Sequence, residues 1–374
     1  MLGKAIHTCR RFGRFSRTGL KGICGTHSAP LSTYQAPPPI PGSSMTAFQA
    51  MNLWRRCFEE RGVAEPDQSS QYIVAHLLGA KTIESLGHEK LNKPLSCAKM
   101  EQLWELSVKR LSRMPVQYVI EEWDFRDLTL KMRPPVFIPR PETEALKKGP
   151  LLRVKGAICK KGTTKSYKEL VELVLADLQG KEDTGMHVVP QLTCLEVGCG
   201  SGAITLSLLK DLPRLRAIAL DQSRHAVDLT RENALRLGLE DRLLIHQVDV
   251  LKEPEVLLSL GDSISTLVSN PPYLFSEDMT FLEPELLRFE DHAALDGGED
   301  GLDVIKQILT AAPKMLSIHG HVYLEVDPRH PPLIQQWVKD HVPGLSYLET
   351  RHDITNRLVW RKDLGHCYPV FTQG

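Results

Sequence analysis

The sequence predicts an α/β protein in which a small N-terminal helical domain precedes a doubly wound, mostly parallel sheet. Three observations carry this. Short apolar runs alternate with helical stretches from residue 192 onward, a glycine-rich turn directly follows the first run, and apolar residues between 46 and 114 recur at spacings of three and four. Alternating strands and helices make a parallel sheet covered by crossover helices, with ligands gathered at the carboxyl ends of the strands. A length of 374 residues fits two domains of unequal size with flanking tails.

In chain order, residues 1–45 read as a mitochondrial transit peptide and linker, which places the protein in the matrix. No acid occurs before Glu59, whereas Lys4, Arg10, Arg11, Arg14, Arg17 and Lys21 are interleaved with Ser, Thr and Gly. Positions 10, 14, 17 and 21 would stack on one helical face, and the proline-rich stretch 36–44 has linker composition. The blander reading is a basic tail with no targeting role.

Residues 46–114 form the helical domain. Leu53, Trp54, Cys57 and Phe58, then Tyr72, Ile73, His76 and Leu77, then Leu103, Trp104, Leu106, Val108 and Leu111 describe four or five short helices punctuated by Pro66, Gly79, Gly87 and Pro94. After Pro115 the period shortens toward two through Val116, Tyr118, Trp123, Phe125, Leu128, Leu130 and Met132. The stretch 115–144 is therefore a hairpin and hinge that passes through Pro134-Pro135-Val136-Phe137-Ile138-Pro139. In the second domain the strand candidates are 192–197, 217–220, 243–248, 266–269 and 322–326.

Composition excludes several classes. No apolar run approaches the roughly 20 residues that cross a bilayer, so no membrane span is expected. The 46 Lys and Arg balance the 46 Asp and Glu, against a general polyanion binder. Eight cysteines lack any CxxC pair or histidine partner at zinc-like spacing, which points to reduced thiols and no metal.

The first strand candidate runs into Glu196-Val197-Gly198-Cys199-Gly200-Ser201-Gly202. Glycines let the backbone turn sharply and approach a ligand that a Cβ would exclude. Alone this is ambiguous, because Gly198, Gly200 and Ala203 also satisfy a dinucleotide pattern. Asp221 ends the next strand, placed for two ribose hydroxyls, and Asp249 ends the third, placed for an adenine amino group. Glu196 can compensate an ammonium group. Each acid alone is equally a helix cap or loop residue; the set on successive strand ends fits S-adenosylmethionine. Cys199 is read as a small spacer.

After the fourth strand candidate comes Asn270-Pro271-Pro272-Tyr273. A planar amide or exocyclic amino nitrogen is a poor nucleophile, because its lone pair is delocalised. The Asn270 side-chain oxygen and the Pro271 carbonyl can each accept one of its N–H groups and stabilise the charge that grows on attack. Two prolines hold the backbone, and Tyr273 can stack on the flat target. Positioning supplies most of the catalysis, so no strong base is needed. The expectation is methyl transfer to such a nitrogen.

With these residues in hand, the chain resembles the protein N5-glutamine methyltransferases that modify peptide-chain release factors, in particular a mitochondrial member. Besides the glycine turn and the NPPY tetrapeptide, the likeness rests on Pro115-Val116-Gln117-Tyr118, on Phe137-Ile138-Pro139-Arg140-Pro141-Glu142-Thr143-Glu144 and on Ala294-Leu295-Asp296-Gly297-Gly298. It implies a class I methyltransferase domain over 169–374 with a seven-stranded sheet, a helical domain that docks the release factor, and a GGQ-loop glutamine as acceptor. It further implies a monomer with no stable nucleic-acid or membrane partner. Carried over by position, Gly198 to Gly202, Asp221 and Asn270 contact the cofactor, Asn270 to Tyr273 hold the glutamine, and Arg140 and Glu142 brace the wall or merely form a salt-bridged loop.

The chain departs from the family pattern at Glu121 and Asp127, where glycines are usual around the hairpin, and at Asp327-Pro328, where a glycine follows the strand. The largest departure is a 24-residue insertion at 145–168, with eight Lys or Arg and no acid. It reads as a disordered loop from splicing or gene assignment, or as a basic arm for RNA or the release factor. Two alternatives stay open: an adenine N6-methyltransferase acting on nucleic acid, and a non-catalytic binding protein whose site the insertion cripples.

Overall fold

The computed structural model describes residues 38, 44–139, 170–182, 191–260, 264–352 and 367–373. The basic stretch 1–37, positions 140–144 with Arg140 and Glu142, and the 145–168 insertion lie outside the described residues.

The helical domain opens with α1 (Ala47–Glu60), capped reciprocally by Thr46 and Gln49, and α2 (Pro66–Leu77), which has proline in its first turn. A 3-10 turn at Ile83–Ser85 and α3 (His88–Leu91) lead to α4 (Cys97–Leu111), whose Ser96 accepts from the Lys99 amide. Their apolar stripes meet where Trp54 sits edge-on to Trp104, at 5.1 Å between ring centroids, beside Phe58 and Ile73.

The reading of 115–120 as the start of a hairpin is corrected. Val116–Val119 is a short helix, α5, because Pro115 sets the φ of its N-cap and Val116, Val119 and Ile120 close the helical core at helical spacing. The hairpin proper is β1 (Glu122–Phe125) paired with β2 (Leu128–Lys131). Glu121 does take the left-handed conformation that a family glycine would favour, at φ 59°. At the turn, however, the positive φ falls on Arg126 and not on Asp127. Arg126 bonds Glu172 and Asp211, and Lys210 donates to the Asp127 carbonyl at 2.7 Å, so the turn is anchored to the second domain.

That domain holds α6 (Leu170–Glu182), β3 (Thr193–Val197), α7 (Ala203–Asp211), β4 (Arg216–Asp221), α8 (Arg224–Leu237), β5 (Leu243–Gln247), α9 (Pro254–Ser259), β6 (Ile264–Ser269), α10 (Pro284–Phe289), α11 (Asp303–Met315), β7 (Leu316–Leu324), α12 (His330–His341), β8 (Leu345–His352) and β9 (Cys367–Gln373). Seven strands form one sheet in the order β5-β4-β3-β6-β7-β9-β8; pairs as far as β6–β7 are parallel, while β9 is antiparallel to β7 and β8. All five strand candidates are strands. β8 and β9 were not among them: β9 is interrupted by Pro369, which ordinarily argues against an interior strand.

One face of the sheet packs α6, α7, α8 and the hairpin, the other α9, α11 and α12. Burial on both faces explains why the strands read as unbroken apolar runs. The strand order reverses between β3 and β6, and there a doubly wound sheet opens its ligand crevice.

Candidate active site

The glycine turn leaves β3 with Gly198, Gly200 and Gly202 at φ 78°, 56° and 83°. Gly198 and Cys199 both donate to the Leu220 carbonyl, at 2.8 and 3.0 Å, so the turn is stitched to the end of β4. A Cβ at Gly202 would lie 2.8 Å from Leu206 Cδ1, whereas one at Gly200 would meet nothing within 4 Å. Gly202 is thus required for packing, and the space beside Gly200 is open to a ligand. Ser201 and Cys199 are buried. Burial raises the Cys199 thiol pKa, which suits a spacer and not a nucleophile.

Two residues that sequence reasoning missed brace this turn from α8. Thr230 Oγ1 donates to the Gly200 carbonyl at 3.0 Å, and Asn233 Nδ2 donates to the Ser201 carbonyl at 3.0 Å. The Asn233 oxygen also accepts from Lys131 N at 2.7 Å, tying the hairpin to the turn. Both side chains are buried polar groups, a signal that appears only once burial is known.

The three acids occupy different environments. Glu196 is fully buried, accepts from the backbone N and hydroxyl of Thr205 in α7, and is pushed up to about 8 by burial. It lies inside the fold and not on an open rim. Asp221 is half-buried; its carboxylate accepts from Gly200 N at 2.9 Å and Ser223 N at 2.8 Å, and burial raises its pKa against those two bonds. Asp249 lies two residues beyond the end of β5 and not at it. Its carboxylate accepts from Leu251 N and pairs with Lys252 at 2.7 Å, and the Lys252 ammonium lowers its pKa.

Asn270-Pro271-Pro272-Tyr273 leaves β6 beside β3. Ser269 Oγ donates to the Val197 carbonyl at 2.6 Å, locking the two strand ends together. A Cβ at Gly198 would fall 3.7 Å from the Asn270 carbonyl oxygen, so the glycine turn and the tetrapeptide lie against each other. Pro271 is buried, Asn270 and Tyr273 are half-buried, and Tyr273 packs against the core under α11.

The Ala294-Leu295-Asp296-Gly297-Gly298 run backs this turn. Leu274 N donates to Leu295 O and Gly297 N returns to Leu274 O at 2.8 Å. A Cβ at Gly297 would lie 2.7 Å from the Pro272 carbonyl, and one at Gly301 2.6 Å from the Tyr273 carbonyl. Only glycine admits this approach of backbone to backbone.

The helical domain reaches the same region. Arg110, buried, and Arg113 both pair with the buried Glu285 on α10, at 3.3 and 3.4 Å. Ile138 N donates to Glu290 and Pro135 O accepts from Asp291 N, which sets the Phe137-Ile138-Pro139 segment beside the loop that follows α10.

Residues 49–120 match the PrmC N-terminal domain family, a span that includes α5, and residues 183–288 match the methyltransferase small domain family. Human MTRF1L release factor glutamine methyltransferase is 44% identical over 328 residues, covering 87% of this chain and 89% of that protein. Release factor glutamine methyltransferase of Moorella thermoacetica is 31% identical over 282 residues, covering 75% of this chain and 86% of that protein. Among solved structures, TrmN from Thermus thermophilus overlaps at TM-score 0.35 and 20% identity, over 54% of this chain and 48% of that one, which adds nothing to the fold described above. With likeness to the human protein extending through both domains, the chain belongs to the release factor glutamine methyltransferase family.

Proposed function

We propose that this enzyme transfers a methyl group from S-adenosylmethionine to the N5 amide nitrogen of the GGQ glutamine in a mitochondrial peptide-chain release factor. The observation that carries the reading is the abutment of Gly198 on the Asn270 carbonyl at the point where the strand order reverses, because it joins a cofactor turn to an amide-holding turn. The residues present suit the cofactor: Gly200 leaves open space, Asp221 ends β4 with a partly buried carboxylate, and Asp249 lies two residues past the end of β5. Gly198 to Gly202, Asp221, Asp249 and Asn270 would hold it, and Glu196 would support the turn from within. Bound there, the sulfonium supplies an electrophilic methyl. The chain's own part is to orient the acceptor amide on Asn270 Oδ1 and Pro271 O, with Pro272 and Tyr273 shaping the slot.

Charge favours a protein acceptor over a nucleic-acid base. Between Leu274 and Asp300 the exposed charged side chains are Glu277, Glu283, Asp296 and Glu299 against Arg288, a surface that repels a phosphate backbone. The test is incubation of the full chain with labelled S-adenosylmethionine and a release factor, either wild type or with the GGQ glutamine replaced. Label should enter the wild-type factor alone; equal labelling of both would sink the proposal.

A further inference from the structure

Asp327-Pro328, singled out in the sequence as a departure from the family pattern, leads directly into a cluster on the far side of the acceptor turn. Asp327 is buried at 2% exposure and accepts from Arg329 N, Nε and Nη2 at 2.8, 2.8 and 2.9 Å. The same guanidinium reaches Asp278 at 2.6 Å and lies 3.8 Å over the Phe275 ring. His330, fully buried at the start of α12, stacks on that ring at 4.9 Å between centroids, with its Nε2 3.1 Å from Asp300 O. It also presses on Gly301, whose missing Cβ would lie 2.7 Å from His330 Nε2 and 2.6 Å from Tyr273 O.

Phe275 follows Tyr273 by two residues, so the chain leaving NPPY is held by the 295–301 loop and by the entrance of α12. We propose that Arg329, gripping Phe275 with Asp327, Asp278 and His330, is a positioning residue for methyl transfer: it fixes the path of the chain out of the acceptor turn and thereby the aim of the Asn270 and Pro271 acceptors. Arg329 is half-exposed but Asp327 is buried, so loss of the guanidinium also costs stability by leaving that carboxylate without its counter-charge. What separates positioning from folding is kcat falling while KM and cofactor Kd hold. The acceptors are a short side chain and a main-chain carbonyl, whose direction depends wholly on that path. The inference rests on NPPY as the acceptor site.

The experiment compares full-length wild type with Arg329→Ala, Arg329→Lys and Phe275→Leu. It reads kcat and KM for a release factor, cofactor Kd by calorimetry, melting temperature, and amide exchange at Leu274 and Ser276. For Arg329→Ala, kcat should fall about 5- to 20-fold while KM and Kd stay within about twofold, because small misplacements near reacting atoms weigh on the transfer step. Exchange at Leu274 and Ser276 should quicken about tenfold with the 198–202 amides unchanged. Arg329→Lys keeps a cation over the ring but cannot span both carboxylates, so it should recover only part of kcat; Phe275→Leu should match Arg329→Ala. An unchanged kcat, or kcat and cofactor Kd worsening by the same factor, would overturn the proposal. Were the wild type inactive on the release factor, the functional reading would fail, and unaltered exchange at Leu274 and Ser276 would still refute the clamp.

Discussion

The two loops that meet at the reversal of the sheet are held in opposite ways. The 198–202 turn is shaped from within, by three glycines at positive φ and by two amides on the carbonyl of the adjacent strand. The 270–273 turn takes rigidity from its prolines but its backing from afar, from the 295–301 loop and the start of α12. The glycine turn thus takes its shape from its own residues and is then braced by β4 and α8, whereas the 270–273 turn depends for its backing on loops far along the chain. Substitutions should separate binding from transfer accordingly.

Asn270→Ala should give the largest separation. Removing one preorganised hydrogen-bond acceptor in the transition state costs on the order of 10²- to 10³-fold in kcat. Asn270 meets the glycine turn through its main-chain carbonyl, which alanine keeps, so calorimetry on the same variant should show cofactor affinity changed far less; an equal loss in both would merge the two halves.

Two glycine substitutions probe the comparison from either side. Alanine in a left-handed conformation costs about 1–2 kcal/mol, so Gly202→Ala and Gly301→Ala should both lower the melting temperature, the second further because its Cβ meets backbone and not a side-chain end. They should diverge in kinetics. Gly202→Ala, whose Cβ meets Leu206 and Thr230, should weaken cofactor binding, while Gly301→Ala, whose Cβ meets the Tyr273 carbonyl, should lower kcat. Identical kinetic profiles would contradict the division.

A smaller effect tests the buried acid beneath the cofactor turn. The pKa of Glu196 is raised from 4.5 to about 8 in the fold, so the folded chain holds a proton that the unfolded chain releases between those values. Its contribution is fully present below pH 4.5 and is lost as pH rises through about 8. Relative to Glu196→Gln, the wild type should lose stability from pH 5 to pH 8.5 in denaturant titrations. A flat difference across that range would assign the carboxylate a stable ionised partner instead.

The smallest expected effect is deletion of 145–168. The contacts described at the 198–202 and 270–273 turns are made by residues outside that segment, so cofactor affinity should move within about threefold, roughly 0.6 kcal/mol. A gain above tenfold on deletion would mean that the insertion obstructs the pocket.

Much of the site was legible because its chemistry is written in adjacent residues. Gly198, Gly200 and Gly202 announce positive φ, Pro271 and Pro272 a stiff turn, and Asp221 a strand-end acid, whatever the rest of the chain does. Asp249 was legible as an acid but not in its setting, since its pairing with Lys252 and its place beyond β5 depend on the conformation of the loop. The short helix α5 escaped because both Val116 and Tyr118 are buried, as alternation would have them, but against different clusters: Val116, with Val119 and Ile120, meets the helical core, while Tyr118 turns to the core of the second domain.

Strand order, the abutment of Gly198 on Asn270, the braces Thr230 and Asn233, and the Arg110–Glu285 pair belong to the folded chain alone. They join residues far apart in sequence, and polar side chains such as Asn233 look like any solvated helix residue until burial forces them to find partners. Local stereochemistry specifies the turns; the aim of one turn at the other is set by the packing of α8, α10 and α12 against the sheet, because direction in space is a property of contacts and not of neighbours in the chain.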